Sequence, residues 1–220
     1  MDVYRHFIFD MDGTLSDTAR ATVRATRKTA EKLGMPPPSA EKVKAVMGYP
    51  GLEYYRMLLG DIGQDLLAAF AAEADRNEDR EIRRIGRDML FPGIREALDS
   101  LLGLGVELYI ASTGHPDHIA LLLDVTGIRR CFKKVYCGRP RKAEMVQELM
   151  AAAGALSPEG WLMVGDMHID AEAARSNRIL AVGAGFGYCP EEKQHLFDVV
   201  VETPGELAAL AGESLGTVKE

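Results

Sequence analysis

His6-Phe7-Ile8-Phe9-Asp10-Met11-Asp12-Gly13-Thr14 is the stretch on which the reading of this chain turns: four residues of buried-strand character run straight into two acids and a glycine. A short apolar run bounded by a turn reads as a strand covered on both faces. Gly13 permits the chain to turn just beyond it, so acidic side chains collect where the strand stops.

Downstream the rhythm changes twice. From Asp17 to about Arg87 helical periodicity dominates. Asp17 is the expected N-cap of its first helix, and Leu33-Gly34-Met35-Pro36-Pro37-Pro38 stops that helix, because glycine ends helices and proline cannot continue one. Ser39 is the expected N-cap of the next, which carries Lys42 to Met47. Gly48-Tyr49-Pro50-Gly51 reads as a loop, Leu58-Leu59-Gly60 as a helix end, and Asp65 to Arg87 as a long helix. Phe91-Pro92-Gly93 marks a boundary. Strands and helices alternate after it: helix Ile94 to Leu104, strand Val106 to Ala111, helix Pro116 to Val125, strand Lys134 to Cys137, helix Lys142 to Ala153. Strand Trp161 to Val164, helix Ala171 to Ser176, strands Ile179 to Val182 and Phe197 to Val201, and helix Pro204 to Ala211 complete the series, before a small polar tail expected to fray. Such alternation implies an α/β fold with a doubly wound parallel sheet. The helical block is then an all-helical insertion, which divides the chain into a Rossmann-like core, 1–16 and 89–220, and a helical cap, 17–88.

In open α/β sheets ligands bind beyond the carboxyl ends of the strands. Three expected strands end in polar residues: the first at Asp10 and Asp12, the second at Ser112-Thr113, the fourth at Gly165-Asp166. Each has an ordinary reading by itself, as a solvated turn, a helix cap or a helix-start acid. Their convergence on one sheet edge is what carries weight. Carboxylates supply the hard oxygens that magnesium prefers, and a divalent ion lets a carboxylate face an anionic phosphate ester.

Asp10-Met11-Asp12-Gly13-Thr14-Leu15-Ser16-Asp17-Thr18 resembles the first signature of the haloacid dehalogenase superfamily. Ile110-Ala111-Ser112-Thr113 resembles its second, Lys142 its third, and Gly165-Asp166-Met167-His168-Ile169-Asp170 its fourth, in the family's order. The helical insertion resembles the cap of the phosphoglycolate phosphatase and β-phosphoglucomutase branch. The resemblance implies a magnesium-dependent phosphatase that acts on a small phosphorylated metabolite through an aspartyl-phosphate. Asp10 would be the nucleophile and Asp12 the acid and base. Ser112, Thr113 and Lys142 would hold phosphate, with Lys142 also neutralising charge in catalysis. The metal would fall to Asp10, Asp166, the Asp12 carbonyl and, through the outer shell, Asp170. Lys142 lacks the proline that follows it in many relatives, and Arg139 and Arg141 compete with it for the third position.

A phosphomutase acting on a sugar phosphate is the first alternative, though no cap-hinge feature of that branch stands around Thr18-Ala19-Arg20. A pyrophosphatase fits the same residues. A non-catalytic phosphate-binding module fits less well, because Asp10 and Asp12 are both kept. Arg20, Arg24, Tyr49, Tyr54 and Arg56 lie in segments able to face the site, each with ordinary packing as the commoner fate. His115 and His168 stand beside signature residues without being needed for magnesium.

The 220 residues are 47% hydrophobic and 27% charged with a net charge of -7, which suits a soluble globular protein and offers no basic surface for nucleic acid or membrane. The three cysteines, Cys131, Cys137 and Cys189, match no zinc spacing and read as free thiols in a reducing compartment. With no apolar run of membrane-spanning length and no leader pattern at the N-terminus, the expected location is the cytoplasm.

Overall fold

The computed structural model describes residues 3–47, 49, 51–155 and 157–212. The strands are β1 (His6–Phe9), β2 (Glu107–Ser112), β3 (Phe132–Cys137), β4 (Trp161–Gly165), β5 (Leu180–Ala184) and β6 (Val199–Val201). They form one six-stranded sheet in the order β3-β2-β1-β4-β5-β6, and every pairing is parallel. This is the order of a doubly wound sheet whose strand sequence reverses beside β1. Among the described residues the helices are α1 (Ala19–Lys32), α2 (Ala40–Ala45), α3 (Gly51–Leu59), α4 (Gln64–Ile85), α5 (Ile94–Gly103), α6 (Pro116–Thr126), α7 (Lys142–Ala152), α8 (His168–Ser176) and α9 (Leu207–Leu210).

Side chains of a strand alternate between the two faces of its sheet, and the core divides accordingly. Phe7, Phe9, Leu108, Ile110, Leu162 and Val164 pack on one face with Ile94 and Leu98 of α5 and Ile119 and Leu122 of α6. Ile8, Tyr109, Ala111 and Met163 pack on the other with Val146 and Leu149 of α7 and Ala174 of α8. Helices α1 to α4 share a separate apolar cluster, in which Val43, Leu58 and Phe70 are fully buried. Ser39 caps α2 by accepting the Lys42 N–H at 3.2 Å.

Several boundaries differ from expectation for local reasons. Helix α4 stops at Ile85 because Gly86 takes a positive φ of 64° and a 3-10 turn, Gly86–Met89, follows. Asp17 does not cap α1. Thr18 holds that position without a side-chain cap hydrogen bond, while the Asp17 carboxylate accepts the hydroxyl of Tyr188, a partner too distant in sequence to foresee. Helix α8 begins three residues early, at His168, since Asp170 reaches back to the Met167 N–H at 2.9 Å. The expected helix from Pro204 is a 3-10 turn, Pro204–Glu206, followed by the short α9. Of the loop at 48–51, residues 48 and 50 fall outside the described residues, as does the tail from 213. Among the described residues no helix is long and apolar enough to cross a membrane, and all three cysteines are free thiols.

Leu162 is fully buried in β4, between β1 and β5. Leu162→Ala is expected to cost about 2–5 kcal/mol through lost transfer energy and a residual cavity, read as a lower urea midpoint with an unchanged slope.

Candidate active site

Strand register builds the site. Phe9 pairs with Ile110 on one side and with Val164 on the other. The residues that follow, Asp10, Ser112 and Asp166, therefore emerge together at the carboxyl edge of the three central strands. All three are buried, at 6%, 1% and 2% exposure. Lys142, the first residue of α7, and Asp170, in the first turn of α8, close the cluster from the Ile8 face of the sheet.

One ammonium meets two carboxylates here. Lys142 Nζ lies 2.6 Å from Asp170 Oδ1 and 3.0 Å from Asp10 Oδ1. The second oxygen of Asp170 accepts the N–H groups of Met167 at 2.9 Å and Asp166 at 3.2 Å. Asp170 thus fixes both the lysine and the loop that carries Asp166. Gly165 makes this possible, because a Cβ there would stand 2.2 Å from the Asp170 Cβ. Thr14 donates to Asp166 Oδ1 at 2.7 Å. Gly13 has a φ of 82°, and a Cβ on it would lie 2.6 Å from both Asp166 and Tyr188. The acidic turn can hold this close approach only with glycine.

The charges are unbalanced. One oxygen each from Asp10, Asp166 and Asp170 lies within 4.8 Å of the others, against the single positive charge of Lys142. Burial pushes Asp10 up to about 7, with Asp170 and Asp12 adding to the rise and Lys142 opposing it. Asp166 is raised too, by burial first and then by Asp170 and Asp10. Burial disfavours the Lys142 ammonium, yet the attraction of Asp10 and Asp170 wins and raises its pKa. Three hard-oxygen donors with one cation between them fit a divalent ion of the magnesium kind.

Asp12 is set apart from that cluster. Its Oδ1 lies 2.9 Å from Nε2 of His118 on α6. Burial alone would raise Asp12, but His118 outweighs it and holds the carboxyl below its ordinary range. Reciprocally, burial opposes charge on His118, and Asp12, backed by Glu78 and Asp79 of α4, lifts it to about 9.

The other candidates fall where their partners put them. Arg139 forks onto Glu148 at 2.8 Å and Arg141 pairs with Glu144 at 3.0 Å, both at exposed positions. Neither competes with Lys142. Ser112 Oγ accepts the Gly114 N–H at 3.2 Å, and Ser112 and Thr113 line a cavity of about 960 Å³ together with Asp10, Asp12 and Asp166. Tyr49 and Tyr54 line it as well, whereas Arg20 and Arg24 line a different cleft and Arg56 lines neither. His115 caps α6 through Nδ1, and His168 is exposed. His118, Tyr188 and Glu78 were not singled out by the sequence. His118 follows Asp12 by more than a hundred residues, and only the fold brings one turn of α6 over the acid.

Comparison with known proteins identifies the family and the fold. Residues 7–184 match the family model of the haloacid dehalogenase-like hydrolases. The chain is 27% identical over 195 residues to a 5'-nucleotidase of Pseudomonas aeruginosa, with 86% of each chain covered. It is 27% identical over 220 residues to a phosphoglycolate phosphatase of Agrobacterium fabrum, which covers 94% of this chain and 92% of that one. Among solved structures, a predicted phosphoglycolate phosphatase from Haemophilus somnus 129pt superposes with a TM-score of 0.85 at 20% identity, covering 94% of this chain and 97% of the other.

The His118 pair is directly measurable. Its folded pKa stands above the free value of 6.5, so its contribution to stability is full below about 6.5 and is lost as pH rises through about 9. An imidazole titration by NMR should place the His118 midpoint near 9, and Asp12→Asn should lower it by about one unit or more.

Proposed function

The chain belongs to the haloacid dehalogenase-like hydrolases, and from that premise we propose that it is a magnesium-dependent phosphatase that hydrolyses a small phosphorylated metabolite through a phosphorylated Asp10. The observation that carries the reading is the buried set of Asp10, Asp166 and Asp170 around Lys142 at the edge of the central strands. The names of its phosphatase and nucleotidase relatives point the same way.

Asp10, Asp166 and, through the outer shell, Asp170 would hold the ion, joined by the Asp12 carbonyl. A bound magnesium ion offsets the negative charge of ester and carboxylates and polarises the phosphoryl group. The remaining work falls to side chains. An Asp10 oxygen attacks phosphorus and the ester P–O bond breaks. Lys142 and the Ser112 hydroxyl, with the Thr113 N–H, hold the phosphoryl oxygens. The leaving oxygen takes a proton from Asp12 as it departs. Asp12 then takes a proton from a water that attacks phosphorus, and the Asp10–phosphorus bond breaks to release phosphate. Asp12 and His118 carry one proton between them while the carboxylate is ionised and the imidazole charged. That shared proton lets Asp12 be loaded for the first step and empty for the second.

Residues 17–88 serve in this reading as the cap, which forms the roof of the cavity and excludes bulk water during transfer. The free cysteines and the lack of a spanning helix among the described residues fit a cytoplasmic enzyme.

The test is phosphate release from a panel of phosphate esters, with and without magnesium, on wild type and Asp10→Asn. Magnesium-dependent release that falls by about 10⁴-fold or more in the variant is the expected result. Full activity in Asp10→Asn would overturn the assignment, and isomerised sugar phosphate in place of free phosphate would indicate a mutase. Independently of turnover, magnesium should raise the thermal midpoint of wild type, and Asp166→Asn should weaken that rise.

A further inference from the structure

Asp12 stands on a loop, and a catalytic side chain on a loop is only as well placed as the contacts that hold that loop. Residues 11–16 close on themselves. Leu15 and Ser16 both donate their N–H groups to the Met11 carbonyl, at 3.0 and 2.9 Å, and the Gly13 N–H reaches the Ser16 carbonyl at 2.9 Å. Tyr188, in the segment between β5 and β6, grips this compact turn at both ends. Its N–H reaches the Gly13 carbonyl at 3.0 Å, one residue beyond Asp12. Its hydroxyl donates to the Asp17 carboxylate and accepts the Ala19 N–H at 2.8 Å, where the chain leaves for α1. The ring lies so close to Gly13 that a Cβ there would stand 2.6 Å from it.

The same residue meets the chain on its way back. The two crossings between sheet and helical segment run side by side: the Asp17 N–H reaches the Met89 carbonyl at 2.7 Å, and the Phe91 N–H reaches the Leu15 carbonyl at 3.1 Å. The Phe91 ring stands edge-on to Tyr188 with centroids 5.5 Å apart, a favoured aromatic geometry. Tyr188 therefore touches the acidic turn, the outgoing crossing and the returning crossing at once, and it lines the cavity that Asp12 also lines.

Resting on the phosphatase reading, we propose that Tyr188 is a positioning residue for acid catalysis: by tying Gly13, Asp17 and Ala19 to one side chain and its backbone, it holds Asp12 where the leaving oxygen collects its proton. It acts through Asp12 and transfers no proton itself, because its hydroxyl proton is committed to Asp17 and its oxygen to Ala19. Misplacing a catalytic group by about 1 Å can cost about 10²-fold in rate. That cost depends on the ester. A leaving group of low basicity departs without a proton, whereas a basic one needs it in the transition state.

Aryl esters of similar shape and graded leaving-group basicity test this: p-nitrophenyl, p-chlorophenyl, phenyl and p-methoxyphenyl phosphate, on wild type and Tyr188→Phe. The substitution keeps the ring against Phe91 and the N–H on Gly13, and removes only the hydroxyl. The quantity compared is kcat/KM, which covers phosphoryl transfer to Asp10 and not the later hydrolysis. Tyr188→Phe should lower it about tenfold or more for the phenyl and p-methoxyphenyl esters and by less than about threefold for the p-nitrophenyl ester. The dependence on leaving-group basicity thus steepens. Asp17→Ala removes the acceptor of the hydroxyl and should steepen it likewise, and both substitutions together should steepen it no further than either alone. Each slope is read within one protein sample, so loss of folded enzyme cancels. An unchanged slope, or an equal loss on every ester, would overturn this inference and leave the phosphatase reading standing. No hydrolysis by wild type of any ester, these and the wider panel included, would overturn the phosphatase reading itself.

Discussion

The pairing of Lys142 with Asp10 and Asp170 is the interaction on which the site depends. Charges this deeply buried are costly, and their mutual attraction offsets the cost only when the geometry is good and the remaining lone pairs are satisfied. Asp170 meets both conditions by spending one oxygen on the lysine and the other on two backbone N–H groups. Asp166 receives the Thr14 hydroxyl, and its charge adds to that of Asp10 and Asp170 against the one lysine. That excess negative charge is what the proposed divalent cation would balance, letting a dianionic ester approach.

Each part of the fold contributes to holding that excess in place. The parallel register aligns the ends of β1, β2 and β4, so three side chains from distant sequence positions meet without loop adjustment. Glycine at 13 and 165 lets backbone and carboxylates approach more closely than any Cβ would allow. Tyr188 ties the other side. Its N–H reaches the Gly13 carbonyl at 3.0 Å and its hydroxyl meets Asp17 and the Ala19 N–H, so the entry to the helical segment is clamped to the loop after β5. That clamp displaced the cap expected at Asp17.

What the sequence made legible was what depends on local pattern. Alternating apolar runs and helical stretches gave the sheet and the helical block, and the polar residues at strand ends pointed to one edge. Lys142 could be ranked above Arg139 and Arg141 because it opens a helix, and the partners Glu148 and Glu144 explain why the arginines are elsewhere. His118 left no such trace. It lies in the first turn of α6, two residues after Pro116, and nothing in its neighbours marks it. Its meeting with Asp12 is a product of tertiary packing, which sets the start of α6 beside the turn that follows β1. Arg20 and Arg24 failed as candidates for the same reason, since the angle of α1 to the sheet decides which side of it faces the cavity.

Asp10 and Asp12 show how far environment outweighs residue type. They are two positions apart on one turn, yet burial among like charges raises Asp10 while the His118 contact lowers Asp12. Environments that push two carboxyls in opposite directions assign them different work. Asp10 sits against Lys142, which opposes its rise and, in the proposed mechanism, keeps it ionised for attack. Asp12 stands outside the three-carboxylate cluster and has a partner of its own in His118. In the proposed mechanism, turning Asp12 toward α6 gives the acid and base its own partner, His118, while Asp10 keeps Lys142.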